Sequence, residues 1–228
     1  MSTNFENRIF FGITGEKDKD WQQKLNDLNK LRIKEAALFL ETFDQSQRKK
    51  IYRALLDTGI KKIPLCHISN DMEVEELTFL ESKFNTEYFT IHERSFGFLD
   101  KWKGFEKKLY LEMNADDYIS PGVEVEKIGG FCVDLSHFKI ALAEWTKDFD
   151  YTYLKKEIAN FSCNHLNGYS EEKNTDLHII ESLKDFDYLK TLPEFIFGNV
   201  IGLEVENDIA EQIKFKKYLV KLLDSLYK

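Results

Sequence analysis

Short apolar runs alternate with stretches of helical spacing from one end of the chain to the other. RIFFGITG, residues 8–15, is apolar and ends in glycine. Behind it, DWQQKLNDLNKL places large apolar residues at Trp21, Leu25, Leu28 and Leu31. That three-to-four spacing predicts a helix with one buried face. EAALFLETF predicts the next strand and DQSQRKKIYRALLDTG the next helix, with Asp44 as N-cap and Gly59 as its stop. KIPLCHI is followed by a capped helix, NDMEVEELTFLESKF. YFTIHE and KLYLEMN read as strands trailed by irregular connectors, the first holding Trp102 and the second Pro121. GFCVDLSH leads into residues 138–159, which predict one long helix. FSCNHLN leads through a polar loop to the helical DFDYLKTL, and NVIGLEVE leads to a last helix over 208–228.

The eight strands are short and apolar on both faces, and no hairpin turn joins one to the next. That pattern belongs to a parallel sheet covered by helices. Eight strand–helix units in 228 residues predict an α/β fold: a single compact (β/α)8 TIM barrel over 1–228, with reduced helices after the fourth and fifth strands. No Pro/Gly/Ser-rich linker divides the chain. An open doubly wound sheet is the alternative, but the chain carries neither a GxGxxG nor a P-loop to go with it.

Composition narrows the chemistry. Apolar residues make up 43%, with 19 Phe and 10 Tyr, so a packed core is expected. No apolar run approaches the roughly 18 residues of a membrane span, and MSTNFENRIFF lacks the basic-then-apolar order of a secretory signal. A cytoplasmic protein is expected. Cys66, Cys132 and Cys163 fall inside strand-like runs without metal-knuckle spacing, and read as reduced, buried side chains. The net charge of −8, from 32 basic and 40 acidic residues, weighs against broad binding to nucleic acid and favours a small-molecule substrate. The densest basic stretch, residues 214–221, reads as a solvated helix face. Oligomeric state leaves no trace in the sequence.

The most distinctive pattern lies at the strand ends. His67, His92, His137, His165 and His178 all sit at or just past a strand-like run. Glu112, Asp134, Asp176 and Glu204 sit in the same kind of place. Side chains two apart on a strand share a direction, so Tyr110, Glu112 and Asn114 point one way. Cys132 with Asp134, Cys163 with His165, Leu65 with His67 and Thr90 with His92 do likewise. In each set the polar residue caps the apolar ones. A lone strand-end histidine is most often scaffolding, and a lone acid most often a helix N-cap. Such groups on five strand ends of one mouth change the balance. Crowded carboxylates repel strongly at low dielectric, few Lys or Arg are near in sequence, and bound cations resolve the repulsion. Nitrogen and oxygen donors suit Zn, Mn, Fe or Co, in one to three ions. Asp176 and His178, two apart, face one way if extended, and Asp134 and His137 stand three apart where a strand leaves the wall. Phe96, Phe98, Trp102 and Tyr169 read as packing residues or as a wall of the mouth.

LYLEMN, CVDLSH, CNHLNG, NTDLH with KDFDYLKTLP, and GLEVE, in this order, resemble the xylose-isomerase-like TIM-barrel superfamily. That superfamily includes sugar and sugar-phosphate isomerases and epimerases and the endonuclease IV type of abasic-site nuclease. The resemblance covers essentially the whole chain. From the isomerase members it implies a four-ligand metal site at Glu112, Asp134, His165 and Glu204. From the nuclease members it implies further ligands at His67, His92, His137, Asp176 and His178. Glu206 is a possible substitute for Glu204. The chain is short for such a nuclease, and its acidic balance departs from a duplex-DNA binder.

Three functions follow as expectations. The first is a metal-dependent isomerase or epimerase of a small sugar-like hydroxy-carbonyl compound. In it Glu112 and Glu204 exchange a proton next to a metal-polarised carbonyl, and His67 or His92 binds hydroxyls. The second is a multinuclear phosphoesterase with Glu112 as a bridging ligand. The third is a non-catalytic barrel with a remnant site.

Overall fold

The computed structural model describes residues 4–15 and 20–227. Met1–Thr3, part of the segment read for a secretory signal, and Lys228, the predicted end of the last helix, lie outside the described residues. A nine-stranded, all-parallel sheet forms the centre. Its edge strands are β1 (Ile9–Phe10) and β2 (Gly12–Ile13), which are separated in sequence by Phe11 alone. Between them, in order from β2, run β3 (Ala37–Phe39), β4 (Leu65–His67), β5 (Tyr88–His92), β6 (Leu109–Glu112), β7 (Gly130–Asp134), β8 (Phe161–Leu166) and β11 (Val200–Leu203). The first predicted strand is thus two short ones. β1 pairs with β11 (Phe10↔Gly202) and β2 with β3 (Ile13↔Leu38), so the sheet curls nearly into a closed barrel.

Glycine and glutamine make that seam possible. A Cβ on Gly12 would lie 1.7 Å from the Leu203 carbonyl oxygen, so no other residue fits the close approach. The Gly12 N–H donates to Gln212 Oε1 (2.8 Å), and Gln212 Nε2 returns a bond to the Gly12 carbonyl (3.1 Å). A buried side-chain amide thereby supplies the ladder bonds that the break at Phe11 removes.

Helices cover the outside: α1 (Asp20–Lys30), α2 (Gln45–Leu56), α3 (Val74–Phe84), α4 (Leu135–Glu144), α5 (Lys147–Leu154) and α6 (Ile209–Leu226). α6 buries Ile209, Gln212, Phe215, Leu219 and Leu223, one stripe at helical spacing. α2 opens with the predicted Asp44 cap, in a reciprocal capping box with Gln47, and ends at Leu56, ahead of Gly59. α1 stops at Lys30; Leu31 turns outward and Arg32 adopts φ 56°. After β5 and β6 the connectors hold only 3-10 segments, Glu93–Trp102, Glu106–Lys108 and Val125–Lys127, matching the thin coverage expected there. Among the described residues, no helix is long and apolar enough to cross a membrane.

Two expectations are corrected. The single helix over 138–159 is two. Trp145 takes a left-handed conformation (φ 53°) that ends α4, and Thr146 caps α5 by accepting from the Phe149 N–H. The polar loop after β8 is an antiparallel hairpin, β9 (Gly168–Ser170) with β10 (Thr175–Leu177), and DFDYLKTL forms part of a 3-10 segment, Leu183–Thr191. Leu177 packs on the core, which repays a hairpin that the polar sequence alone does not favour.

The core divides in two. Ala37, Phe39, Leu65, Tyr110, Cys132, Cys163 and Val200 fill the inside of the curled sheet. The alternate residues Leu38, Cys66, Phe89, Leu111, Phe131, Val133 and Ile201 belong to the layer shared with the helices. The cysteines are buried and free, as expected.

Two outcomes test this account. Replacing Gln212 by Leu strips both Gly12 backbone groups of their partner and should lower unfolding stability by about 2–4 kcal/mol in urea titration. Asp148 is buried at the start of α5, accepting from the Asp116 N–H, and burial pushes its carboxyl up from 3.8 to about 7, with Glu93 and Asp116 adding to the rise. The folded state therefore holds a proton between those values that the unfolded chain releases, and stability falls as pH rises through that window. Asp148→Asn should flatten that slope and be no less stable than wild type at pH 8.

Candidate metal centre

Parallel pairing puts every strand's C-terminal end on one rim, and the register aligns the polar residues there. His92 lies beside Glu112, Asp134 beside His165, and Phe39 beside His67. His67, His92, Glu112 and Asp134 are each the last residue of a strand. His165 is the penultimate residue of β8, and Glu204 follows β11 directly. These side chains form a polar layer above the inner apolar filling. All five histidines of the chain reach this rim, His137 from the first turn of α4 and His178 just past β10.

Donor atoms gather there in overlapping groups, each within 4.8 Å. One holds Glu112, Asp134, His165 and Glu204, the four positions the resemblance implied for a single metal. A second holds His67, His165 and Glu204, and a third Glu41, His67 and His92. His137, Asp176 and His178 enter none of these groups among the described residues. They stand at the same mouth, with His178 Nε2 2.9 Å from Asp176 Oδ2 and His137 Nδ1 3.6 Å from Glu112 Oε1. Glu206 also stays outside the groups, whereas Glu204 enters two. Glu41 was not among the sequence candidates, although it ends the apolar run AALFL as the others end theirs.

Most of the spacings match those between ligands of one cation. His165 Nδ1 lies 3.0 Å from Glu112 Oε2 and 3.3 Å from Glu204 Oε2. His67 Nε2 lies 3.3 Å from Glu41 Oε2 and 3.6 Å from Glu112 Oε2, and its Nδ1 lies 3.8 Å from Glu204 Oε1. Ligands about 2.0–2.2 Å from a tetrahedral ion stand about 3.3–3.6 Å from one another. Both ring nitrogens of His67, Nδ1 of His165 and Oε2 of Glu112 are buried without a hydrogen-bond partner. Buried polar atoms are ordinarily paired. A set of orphaned donors converging at ligand spacing is a site that could hold a metal ion.

Outer contacts fix the ligands' orientation. His165 Nε2 meets Thr90 Oγ1 at 3.2 Å, which leaves Nδ1 to face the carboxylates. Asp134 Oδ1 accepts from Ser136 N, Ser136 Oγ and His137 N, so Asp134 is the N-cap of α4 as well as a donor. Its Oδ2 accepts from Asn167 Nδ2 at 2.9 Å. His178 Nδ1 lies 3.1 Å from the Glu204 carbonyl and His137 Nδ1 3.2 Å from that of Met113.

Without cations, protons do the neutralising. Burial alone would raise the Glu112 carboxyl, but His165, His67 and His92 hold it well below its usual range. Glu204 is lowered too, His165 and His67 overcoming burial. Burial would lower His92, but Glu112 and Glu41 push it up to about 9. Hydrogen bonding to Asp176 pushes His178 up to about 10. A cation entering here would displace protons.

A cleft of about 210 Å³ opens onto the layer, lined by Thr14, Gly15, Phe39, Glu41, Thr42, His178, Glu204, Val205 and Glu206. Among the described residues its lining is acidic, without Lys or Arg. Of the aromatic residues considered for the mouth, Trp102 is fully buried and donates to the Met72 carbonyl, so it serves the core. Tyr169 is buried and its hydroxyl bonds Asn174, bracing the hairpin. Phe96 packs on the core, and Phe98 is exposed.

A scan against protein-family models finds no match to this chain, and a search of the curated proteins finds none either.

Thr90→Val removes the outer hold on His165 while keeping its volume. Affinity for the tightest divalent cation should fall by about 10- to 100-fold in competition with a chelating dye; no change would show that Thr90 does not position the ligand.

Proposed function

We propose that the protein is a metal-dependent hydrolase of a small phosphate ester, built on a (β/α)8 barrel of the xylose-isomerase-like kind. The observation that carries this reading is the convergence of Glu112 and Glu204 on one nitrogen of His165. Two carboxylates aimed at one imidazole nitrogen are placed to serve as co-ligands of one cation. Proton exchange across a carbonyl compound asks instead for two bases on opposite sides of the substrate, and only Glu204 of the pair lines the cleft. Support also comes from the neighbouring donor group, since His67 and Glu112 stand between it and the first. Sites with adjacent cations suit ester hydrolysis.

Glu112, Asp134, His165 and Glu204 would hold the resident cation. Bound divalent cations would supply a hydroxide at neutral pH and stabilise the leaving oxygen. Thr90 and Asn167 orient His165 and Asp134, so the donors need little rearrangement. Glu206, on the cleft wall and outside every donor group, is placed to accept a proton from entering water. The acidic lining selects against large polyanions, consistent with the charge of −8.

The isomerase reading keeps one observation in its favour: a small, acidic cleft suits an uncharged hydroxylated compound. Elemental analysis of protein purified without chelator or nickel, with hydrolysis of mono- and bis-p-nitrophenyl phosphate, separates the two. At least two ions per chain and chelator-sensitive hydrolysis abolished in Glu112→Gln are expected. One ion per chain, with solvent deuterium entering hydroxy-carbonyl compounds and no hydrolysis, would replace this reading with the isomerase. No bound ion with any of Zn, Mn, Fe or Co would leave a remnant site.

A further inference from the structure

We propose that Glu41 is a metal ligand, completing with His67 and His92 a second cation position whose open side faces the cleft. The inference rests on the metal-centre reading above and extends it to a residue outside the strands. Glu41 lies two residues beyond β3, in the turn that leads to α2. Its Oε2 is 3.3 Å from His67 Nε2 and 3.3 Å from His92 Nε2. One carboxylate oxygen thus stands at ligand spacing from two imidazole nitrogens at once.

The surroundings favour a shared cation over an ion pair alone. His67 is 1% exposed and neither ring nitrogen has a hydrogen-bond partner; Nδ1 of His92 has none either. The rings of His67 and His92 stand 4.9 Å apart, which directs both Nε2 atoms toward the same oxygen. A hydrogen bond would satisfy one of these nitrogens, whereas a shared cation satisfies both. Glu41 has another neighbour, Arg94 Nη2 at 3.9 Å from Oε1, but that guanidinium is exposed and too distant to fix the carboxylate.

The two positions differ in setting. The first group has four protein donors, of which Glu112, Asp134 and His165 are buried and Glu204 lines the cleft. The second has three donors, and Glu41, 32% exposed on its side chain, lines the cleft. Three protein ligands with a remaining side open to a cleft is the arrangement of a position that accepts water or substrate oxygen. Two imidazoles and one carboxylate suit zinc, iron or cobalt. With one protein donor fewer than the first, the second position would have room for a ligand from solution, with Glu41 at the cleft.

Titration with Co2+ tests this, read by visible absorption and by the number of equivalents bound, independent of turnover. Wild-type protein should take two equivalents with separable affinities. Glu41→Gln should weaken one of them by about 10- to 100-fold or more and change its absorption band, leaving the other intact. His92→Ala should lose the same equivalent. Asp134→Asn, which keeps the helix cap, should weaken the other one and spare this. Circular dichroism confirms folding of each variant, and Glu41, at the cleft, lies outside the core. If Glu41→Gln binds and absorbs as wild type does while Asp134→Asn loses an equivalent, Glu41 is not a ligand and the metal centre stands without it. If wild-type protein binds no Co2+, the inference falls together with the reading beneath it.

Discussion

The structure is organised around a layer of buried imidazoles and carboxylates in which several polar atoms have no hydrogen-bond partner. Burying such groups is costly unless they are hydrogen-bonded or bound to a cation. His67, His165 and Glu112 are almost wholly excluded from water, yet several of their polar atoms remain unpaired. The apolar filling below them, Phe39, Leu65, Tyr110, Cys132 and Cys163, closes the space through which water would reach them. Divalent cations would convert this cost into a stabilising contribution, because an ion that binds the folded rim does not find the same site in the scattered residues of the unfolded chain.

Holding that layer in register is the task of the sheet. The donors on neighbouring strands meet only because parallel pairing aligns His92 with Glu112 and Asp134 with His165. A slip of one residue would send each polar side chain to the helix-covered face. The seam at Gly12 matters for the same reason. Gly12 lets β2 pass against Leu203, next to Glu204, while Gln212 ties the interrupted strand to α6. The site therefore depends on packing well outside it, and the outer contacts from Thr90, Asn167 and Ser136 transmit that order to the ligands.

Much of this was legible residue by residue. The alternation of short apolar runs and helical stripes indicated a parallel sheet under helices. The two-residue periodicity correctly put Leu65, Tyr110, Cys132 and Cys163 inside the curled sheet, below the polar caps. The thin coverage after β5 and β6 was visible in the irregular connectors. The break at Trp145 was not, because a bulky aromatic residue in a left-handed conformation carries no sequence signal. The β9–β10 hairpin was missed because its residues are polar and its support comes from contacts made elsewhere in the fold. Glu41 was missed because the predicted strand EAALFLETF ran past it, so it did not read as a strand end.

The sequence by itself determined which chemical groups end the strands and which direction each points, since both follow from composition and the period of an extended chain. Tertiary structure alone decided how they combine. It set Glu112 and Glu204 against a single nitrogen of His165, drew Glu41 to His67 and His92, and left His137, Asp176 and His178 beside the groups instead of within them. The reason is that ligand sets depend on distances of a few ångströms between residues far apart in the chain. Those distances are fixed by sheet curvature, register and loop path, none of which a linear pattern encodes.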